Sequence, residues 1–170
     1  MVSPFVYEKN NTKLTVIAST TLDALVGQLR SNLQLRELVL LEAVSTIPTS
    51  FSYKEDATGL PSLRKLRLAK EASKIFQCGG MLIHMFACTL ETIDAWRVGL
   101  PEGVCLPRLR YLRLQEGDFY YARLTNRKLC YPNLTYVHIP NMPFVLPFVV
   151  LGSPVVLSGS PDSTEYNQFY

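Results

Sequence analysis

The sequence contains no apolar run long enough to cross a bilayer. Its most apolar stretch, Phe144 to Leu157, is 14 residues long and is interrupted by Pro147 and Pro154, well short of the roughly 20 that a spanning helix needs. No membrane partner is expected. The opening residues, from Met1 to Asn10, lack a basic region leading into an apolar stretch, so they do not read as a secretory signal. Charge is also scarce: 17 Lys and Arg against 14 Asp and Glu leave a net +3. Nucleic-acid binding needs Lys and Arg clustered along a groove rather than a slight surplus, and is excluded as an expectation. The four cysteines, Cys78, Cys88, Cys105 and Cys130, lie 10, 17 and 25 residues apart, with no Cys-x-x-Cys pair. Neither a zinc site nor a dense disulfide framework follows from that spacing. Reduced, mostly buried thiols are expected, which favours cytosol or nucleus.

Catalytic signatures are missing too. No Gly-x-Ser-x-Gly elbow, phosphate-cradling glycine loop, His-Glu-x-x-His or Gly-x-Gly-x-x-Gly occurs, so neither an enzyme nor a bound cofactor is expected. The two histidines stand apart. Cys105 or Cys130 assisted by His138 would need the fold to gather them, and a buried structural thiol is the simpler reading. Glu91 and Asp94, three residues apart, read as ordinary surface charge rather than an acid-base pair. Two glycosylation sequons begin at Asn10 and Asn133, and the second requires Leu134, a core position, to be exposed; both read as chance matches.

What the chain does have is a phrase that repeats. Leu60-Pro-Ser-Leu63-Arg-Lys-Leu66-Arg-Leu68 returns as Leu106-Pro-Arg-Leu109-Arg-Tyr-Leu112-Arg-Leu114. A third copy, from Tyr131 through Leu134 and Val137 to Ile139, keeps the apolar positions and changes most others. Fainter copies run from Leu35 to Leu40 and from Leu90 to Ala95, and Leu14-Thr-Val16 is a remnant. The second apolar position falls at Leu38, Leu66, Ile93, Leu112 and Val137, giving spacings of 28, 27, 19 and 25 residues. That range belongs to leucine-rich repeats. The closing Leu-x-Leu is a strand with period-2 alternation, so Leu66 and Leu68, or Leu112 and Leu114, share a face. Leu63 and Leu109 turn inward just before it. No single repeat can bury these side chains alone, and stacked neighbours whose strands pair in parallel can.

The expected fold is therefore α/β: a short irregular solenoid, with a parallel sheet on its concave face and helices or loops on its convex face. It occupies residues 1–143, most clearly 32–143, followed by an apolar C-terminal cap and flexible tail over 144–170. Leu22, Leu25, Val26 and Leu29 recur at helical spacing after Ser19-Thr20-Thr21, which is good N-cap chemistry. Met81 to Cys88, after Gly79-Gly80, is a second helix candidate and Phe119 to Leu129 a weaker third. Ser45 to Gly59 reads as an exposed loop.

From Asn32 to Pro143 these phrases resemble the irregular repeat region of F-box proteins, especially the fungal kind. That resemblance implies an intracellular protein whose repeats capture a substrate while an N-terminal F-box docks on the adaptor of a cullin-RING ubiquitin ligase. The chain departs from the pattern in having too few residues ahead of Asn32 for an F-box, so it is expected to act as an interaction scaffold. Substrate recognition for a ligase is the alternative. Where regular repeats carry a ladder of buried Asn, this chain has Ala43, Glu71, Val98, Gly117 and Met142, which implies uneven curvature.

The residues alternating with the buried leucines would point to the concave surface. They are Glu37 and Val39, Lys65 and Arg67, Asp94 and Trp96, Tyr111 and Arg113, Tyr136 and His138. Aromatics and arginines, which dominate this set, are enriched at protein interfaces. Arg67 and Arg113 can each grip a carboxylate or phosphate bidentately. The expected partner is another protein or peptide, acidic or phosphorylated, met by Lys65, Arg67, Asp94, Trp96, Tyr111, Arg113, Tyr136 and His138.

Overall fold

The computed structural model describes residues 2–7, 10–45, 59–74, 76–98, 104–115, 131–138 and 156–158. In chain order these form β1 (Phe5–Tyr7), β2 (Lys13–Val16), β3 (Thr20–Thr21), α1 (Leu22–Ser31), β4 (Glu37–Leu40), β5 (Val44–Ser45) and β6 (Lys65–Leu68). A 3-10 turn, Ala72–Lys74, leads to α2 (Phe76–Met85), β7 (Thr92–Ala95), β8 (Tyr111–Leu114), β9 (Tyr136–His138) and β10 (Val156–Ser158). The architecture is mixed α/β, with a mostly parallel sheet that does not close into a barrel. Eight strands run in the order β1-β2-β4-β6-β7-β8-β9-β10, and only the β1–β2 pairing is antiparallel. A separate two-stranded pairing joins β3 to β5.

The register follows the repeated phrase. Leu38 lies opposite Leu66, Leu66 opposite Ile93, Ile93 opposite Leu112, and Leu112 opposite Val137. Leu14, in the faint first copy, lies opposite Leu38. Unequal spacers leave this register intact, because pairing depends on where each strand lands and not on the length of chain between strands. The same turn also recurs ahead of each strand. The Arg36 carbonyl accepts from the N–H groups of Arg64 and Lys65, that of Arg64 from Glu91 and Thr92, that of Glu91 from Arg110 and Tyr111, and that of Arg110 from Thr135 and Tyr136. One oxygen thus satisfies two successive donors at each step, so the approach segments carry no orphaned amides at these points.

The apolar face of the sheet makes the core. Leu14, Leu38, Leu66, Ile93 and Leu112 are completely buried, as are Leu35, Leu63, Leu90 and Leu109 from the approach segments; each such side chain contributes about 1.5–3 kcal/mol of burial. Leu134 is also buried, in the approach segment ahead of β9 rather than in the strand itself. Helix α1 adds Leu22, Leu25, Val26 and Leu29, and its N-cap is Thr21, whose Oγ1 accepts from the Ala24 N–H at 3.2 Å. The hydroxyl of Tyr7 on β1 donates to Oε1 of Gln28 in the same helix.

Helix α2 departs from expectation. It begins at Phe76 rather than Met81 and runs straight through Gly79 and Gly80, ending at Met85. The reason is packing: Cys78, Leu82 and Phe86 form a buried stripe with Ile83 beside it. A Cβ on Gly79 would lie 2.7 Å from Cγ2 of Val98 and 3.0 Å from Cδ1 of Leu68. The glycine therefore permits a close approach, and tertiary contact overrides its low helix propensity. Ser45 also departs from the expected loop, pairing with Thr21 in β5, while residues 46–58 of that loop lie outside the described residues. So do the third helix candidate, Phe119 to Leu129, and most of the C-terminal stretch. Within the latter, β10 pairs in parallel with β9, Leu157 opposite Val137. Ser73 is the buried polar side chain among the described residues; its Oγ accepts from the Arg97 N–H at 3.2 Å, tying the turn after β6 to the turn after β7.

Candidate functional site

Alternation along the strands gives the sheet a second, polar face, and the register arranges its side chains in rows across the strands. The first row runs Glu37, Lys65, Thr92, Tyr111, Tyr136 and the second Val39, Arg67, Asp94, Arg113, His138. A third lies one step beyond the strand ends. There the N–H groups of Leu41, Ala69, Trp96 and Gln115 donate to the carbonyls of Val16, Leu40, Leu68 and Ala95 at 3.0, 2.9, 2.9 and 3.0 Å.

All eight residues singled out from the sequence belong to this face. Arg67, Asp94 and Arg113 meet: Oδ2 of Asp94 is 3.6 Å from Nε of Arg67 and 3.8 Å from Nη1 of Arg113. These separations are ion pairs rather than tight hydrogen bonds, and both guanidiniums are about half exposed. Water screens them, so each pair contributes at most about 1 kcal/mol to stability. With its amide oriented by hydrogen bonding, Gln115 accepts through Oε1 from Nη2 and Nε of Arg113 at 2.7 and 2.8 Å, holding that guanidinium in place. Tyr111 and Tyr136 stack with ring centroids 4.5 Å apart and planes within 4°. Trp96 sits apart from that pair, with Nζ of Lys70 over its ring at 5.1 Å. Lys65 is exposed in the first row, between Glu37 and Thr92.

Two ionisations on this face are shifted. Burial pushes the His138 imidazole below its ordinary value, the Arg113 cation adds to that, and Asp94 partly opposes it. The Tyr111 hydroxyl is raised, first by burial and then by its neighbour Tyr136. Both shifts favour the neutral form.

Around Trp96 the face dips into a depression of about 330 Å³, lined by residues from β4, β6, β7, β8 and the turns after them, including Val39, Leu41, Arg67, Lys70, Asp94, Trp96, Arg113 and Gln115. Val39 is buried here, outside the main core cluster, rather than presented as a surface residue, because the neighbouring side chains of the polar face cover it. No family model matches the chain, and no curated protein or solved structure is significantly similar to it.

Sequence reasoning missed Leu41, Lys70 and Gln115. A further period-2 step past Val39 and Arg113 reaches Leu41 and Gln115 as surely as it reaches Trp96 past Asp94; Lys70 follows Ala69 in a turn and carries no such signal. Thr92 was likewise passed over, although it fills the first row between Lys65 and Tyr111.

The cysteines differ from expectation in part. Cys78 is buried and its thiol is pushed up to about 12 by desolvation, which keeps it protonated and unreactive. Cys88, in the turn after α2, and Cys105, in the irregular segment ahead of β8, are exposed rather than on the apolar face; Cys130 lies outside the described residues. Among the described residues, no three His, Cys, Asp or Glu are gathered to hold a metal ion, and no helix is long and apolar enough to cross a membrane.

Proposed function

We propose that the chain is a short stack of irregular leucine-rich repeats that works as an interaction scaffold, binding another protein or peptide through the polar face of its sheet. The observation that carries this reading is the shared face of Arg67, Asp94, Arg113, Tyr111, Tyr136 and Trp96, assembled from strands far apart in sequence, with Arg67, Asp94, Trp96 and Arg113 lining one depression. Aromatic and arginine side chains supply contact area and directional hydrogen bonds together, the mixture that concentrates binding energy in interfaces. The half-exposed guanidiniums suit an acidic or phosphorylated ligand. An open sheet face offers area rather than the enclosed, convergent polar groups of an active site. The cytosol or nucleus is the proposed setting, in keeping with thiols at Cys78, Cys88 and Cys105.

The test is affinity purification with mass spectrometry from the native cell, comparing wild type with a Trp96→Ala, Arg113→Ala double variant of equal thermal stability. Partners present with wild type and lost with the variant are expected. Partners unchanged by the variant would move the binding surface off this face, and a cullin-ligase adaptor retained by both would favour ligase substrate recognition over the scaffold.

A further inference from the structure

We infer that the polar face takes an extended peptide in which apolar and acidic residues alternate, the apolar side chains seating on the third row and the Asp or Glu carboxylates meeting Arg67 and Arg113. This deepens the protein-binding reading of the same face and rests on it.

The apolar half of the argument is where exposed hydrophobic side chains fall. Six large ones are exposed among the described residues, and three of them, Ile17, Leu41 and Trp96, are at 42%, 42% and 36%. Leu41 and Trp96 belong to the third row, and Ile17 stands to β2 as Leu41 does to β4, one residue past the paired Val16 and Leu40. With Ala69 between Leu41 and Trp96, an apolar strip follows one rim of the face instead of being scattered over the surface. Isolated exposed hydrophobics need no explanation, whereas a contiguous strip bordered by charge is the usual form of a binding surface.

The acidic half is charge complementarity. Arg67, Lys70 and Arg113 enter the depression against the single carboxylate of Asp94, leaving an excess of positive charge beside the apolar strip. Adjacent rows are two residues apart along a strand, about 6.6 Å. A peptide lying across the strands between the second and third rows directs successive side chains to opposite sides. Its odd residues reach the apolar strip and its even residues the arginines, which is the origin of the expected alternation.

The experiment is selection of a random peptide display library on the full chain, followed by fluorescence anisotropy of labelled selected peptides. Circular dichroism would establish that each protein variant is folded. Enriched peptides are expected to alternate apolar residues with Asp or Glu. Their affinity should fall at least about tenfold with either Arg67→Gln, Arg113→Gln or Leu41→Ser, Trp96→Ala, and with Lys in place of the peptide acids. Salt should weaken the first interaction and leave the apolar one. Enriched peptides without acidic or without apolar residues, or no enrichment, would overturn this inference. Peptides of another pattern that still depend on the face variants would leave the protein-binding reading standing. Peptides indifferent to every variant on the face would remove both.

Discussion

Tyr111 and Tyr136 lie directly opposite each other on β8 and β9 and stack almost in parallel, 4.5 Å between ring centroids. A cross-strand aromatic pair of this kind contributes about 0.5–1.5 kcal/mol beyond its buried area. In a double-mutant cycle of Tyr111→Ala and Tyr136→Ala, urea unfolding should return a favourable coupling of that size; additive losses would mean the stack contributes nothing of its own. Because the folded state raises the Tyr111 ionisation, its contribution is complete below the ordinary tyrosine range and is lost as pH rises through the shifted value. Phenolate absorbance in an alkaline titration would show the delayed ionisation, and its reduction in Tyr136→Ala would assign the neighbour's share.

His138 offers a test at the other end of the pH scale. Its folded value lies below the ordinary 6.5, so the neutral imidazole is favoured in the native state. The stabilisation is present above that ordinary value and is lost as pH falls through the lower, folded one. By NMR titration, Arg113→Gln should raise the His138 value and Asp94→Asn should lower it further. Movement in the opposite senses would dissociate His138 from the Arg113–Asp94 pair.

Two glycines should respond oppositely to alanine. Nothing lies within 4 Å of a Cβ built on Gly27 in α1, so Gly27→Ala should stabilise the protein by up to about 1 kcal/mol through helix propensity. At Gly79 the new methyl meets Val98 at 2.7 Å, and overpacking of about 1–3 kcal/mol outweighs the same propensity gain. Thermal melts should show Gly79→Ala destabilised and partly rescued by Val98→Ala. Equal stabilisation at both sites would contradict the close approach of α2.

On β6, neighbouring residues should differ sharply. Leu66 is completely buried between Leu38 and Ile93, so Leu66→Ala should cost about 2–5 kcal/mol in denaturant unfolding. Arg67→Ala removes only a screened ion pair and should cost less than about 1 kcal/mol. Comparable losses at the two positions would mean that β6 does not alternate between core and surface as described.

Thr21→Ala removes the hydroxyl that accepts from Ala24 at the start of α1. A loss of about 0.5–2 kcal/mol is expected, with Thr21→Ser close to wild type. Equal losses in both variants would assign the effect to the β3–β5 pairing rather than to the cap.

Much of this was legible because burial in a sheet has a period of two. The recurring Leu-x-x-Leu-x-Leu placed Leu63, Leu66 and Leu68 inward and set Lys65 and Arg67 on the opposite face, before any neighbour was known. The α1 stripe and its Thr21 cap were readable for the same reason, since local spacing and capping chemistry agree there. The start of α2 was not, because its glycines argue against a helix locally and only Val98 and Leu68 explain them.

The sequence by itself determined which side chains are inside, through an alternation that any packed strand must obey. Which polar residues meet was decided by tertiary structure alone. Arg67, Asp94 and Arg113 are 27 and 19 residues apart in the chain, yet one carboxylate lies within ion-pair reach of both guanidiniums because β6, β7 and β8 pair in register. Spacer lengths carry no record of that register. It is set where the apolar faces of neighbouring strands bury one another, and the charges on the opposite face follow.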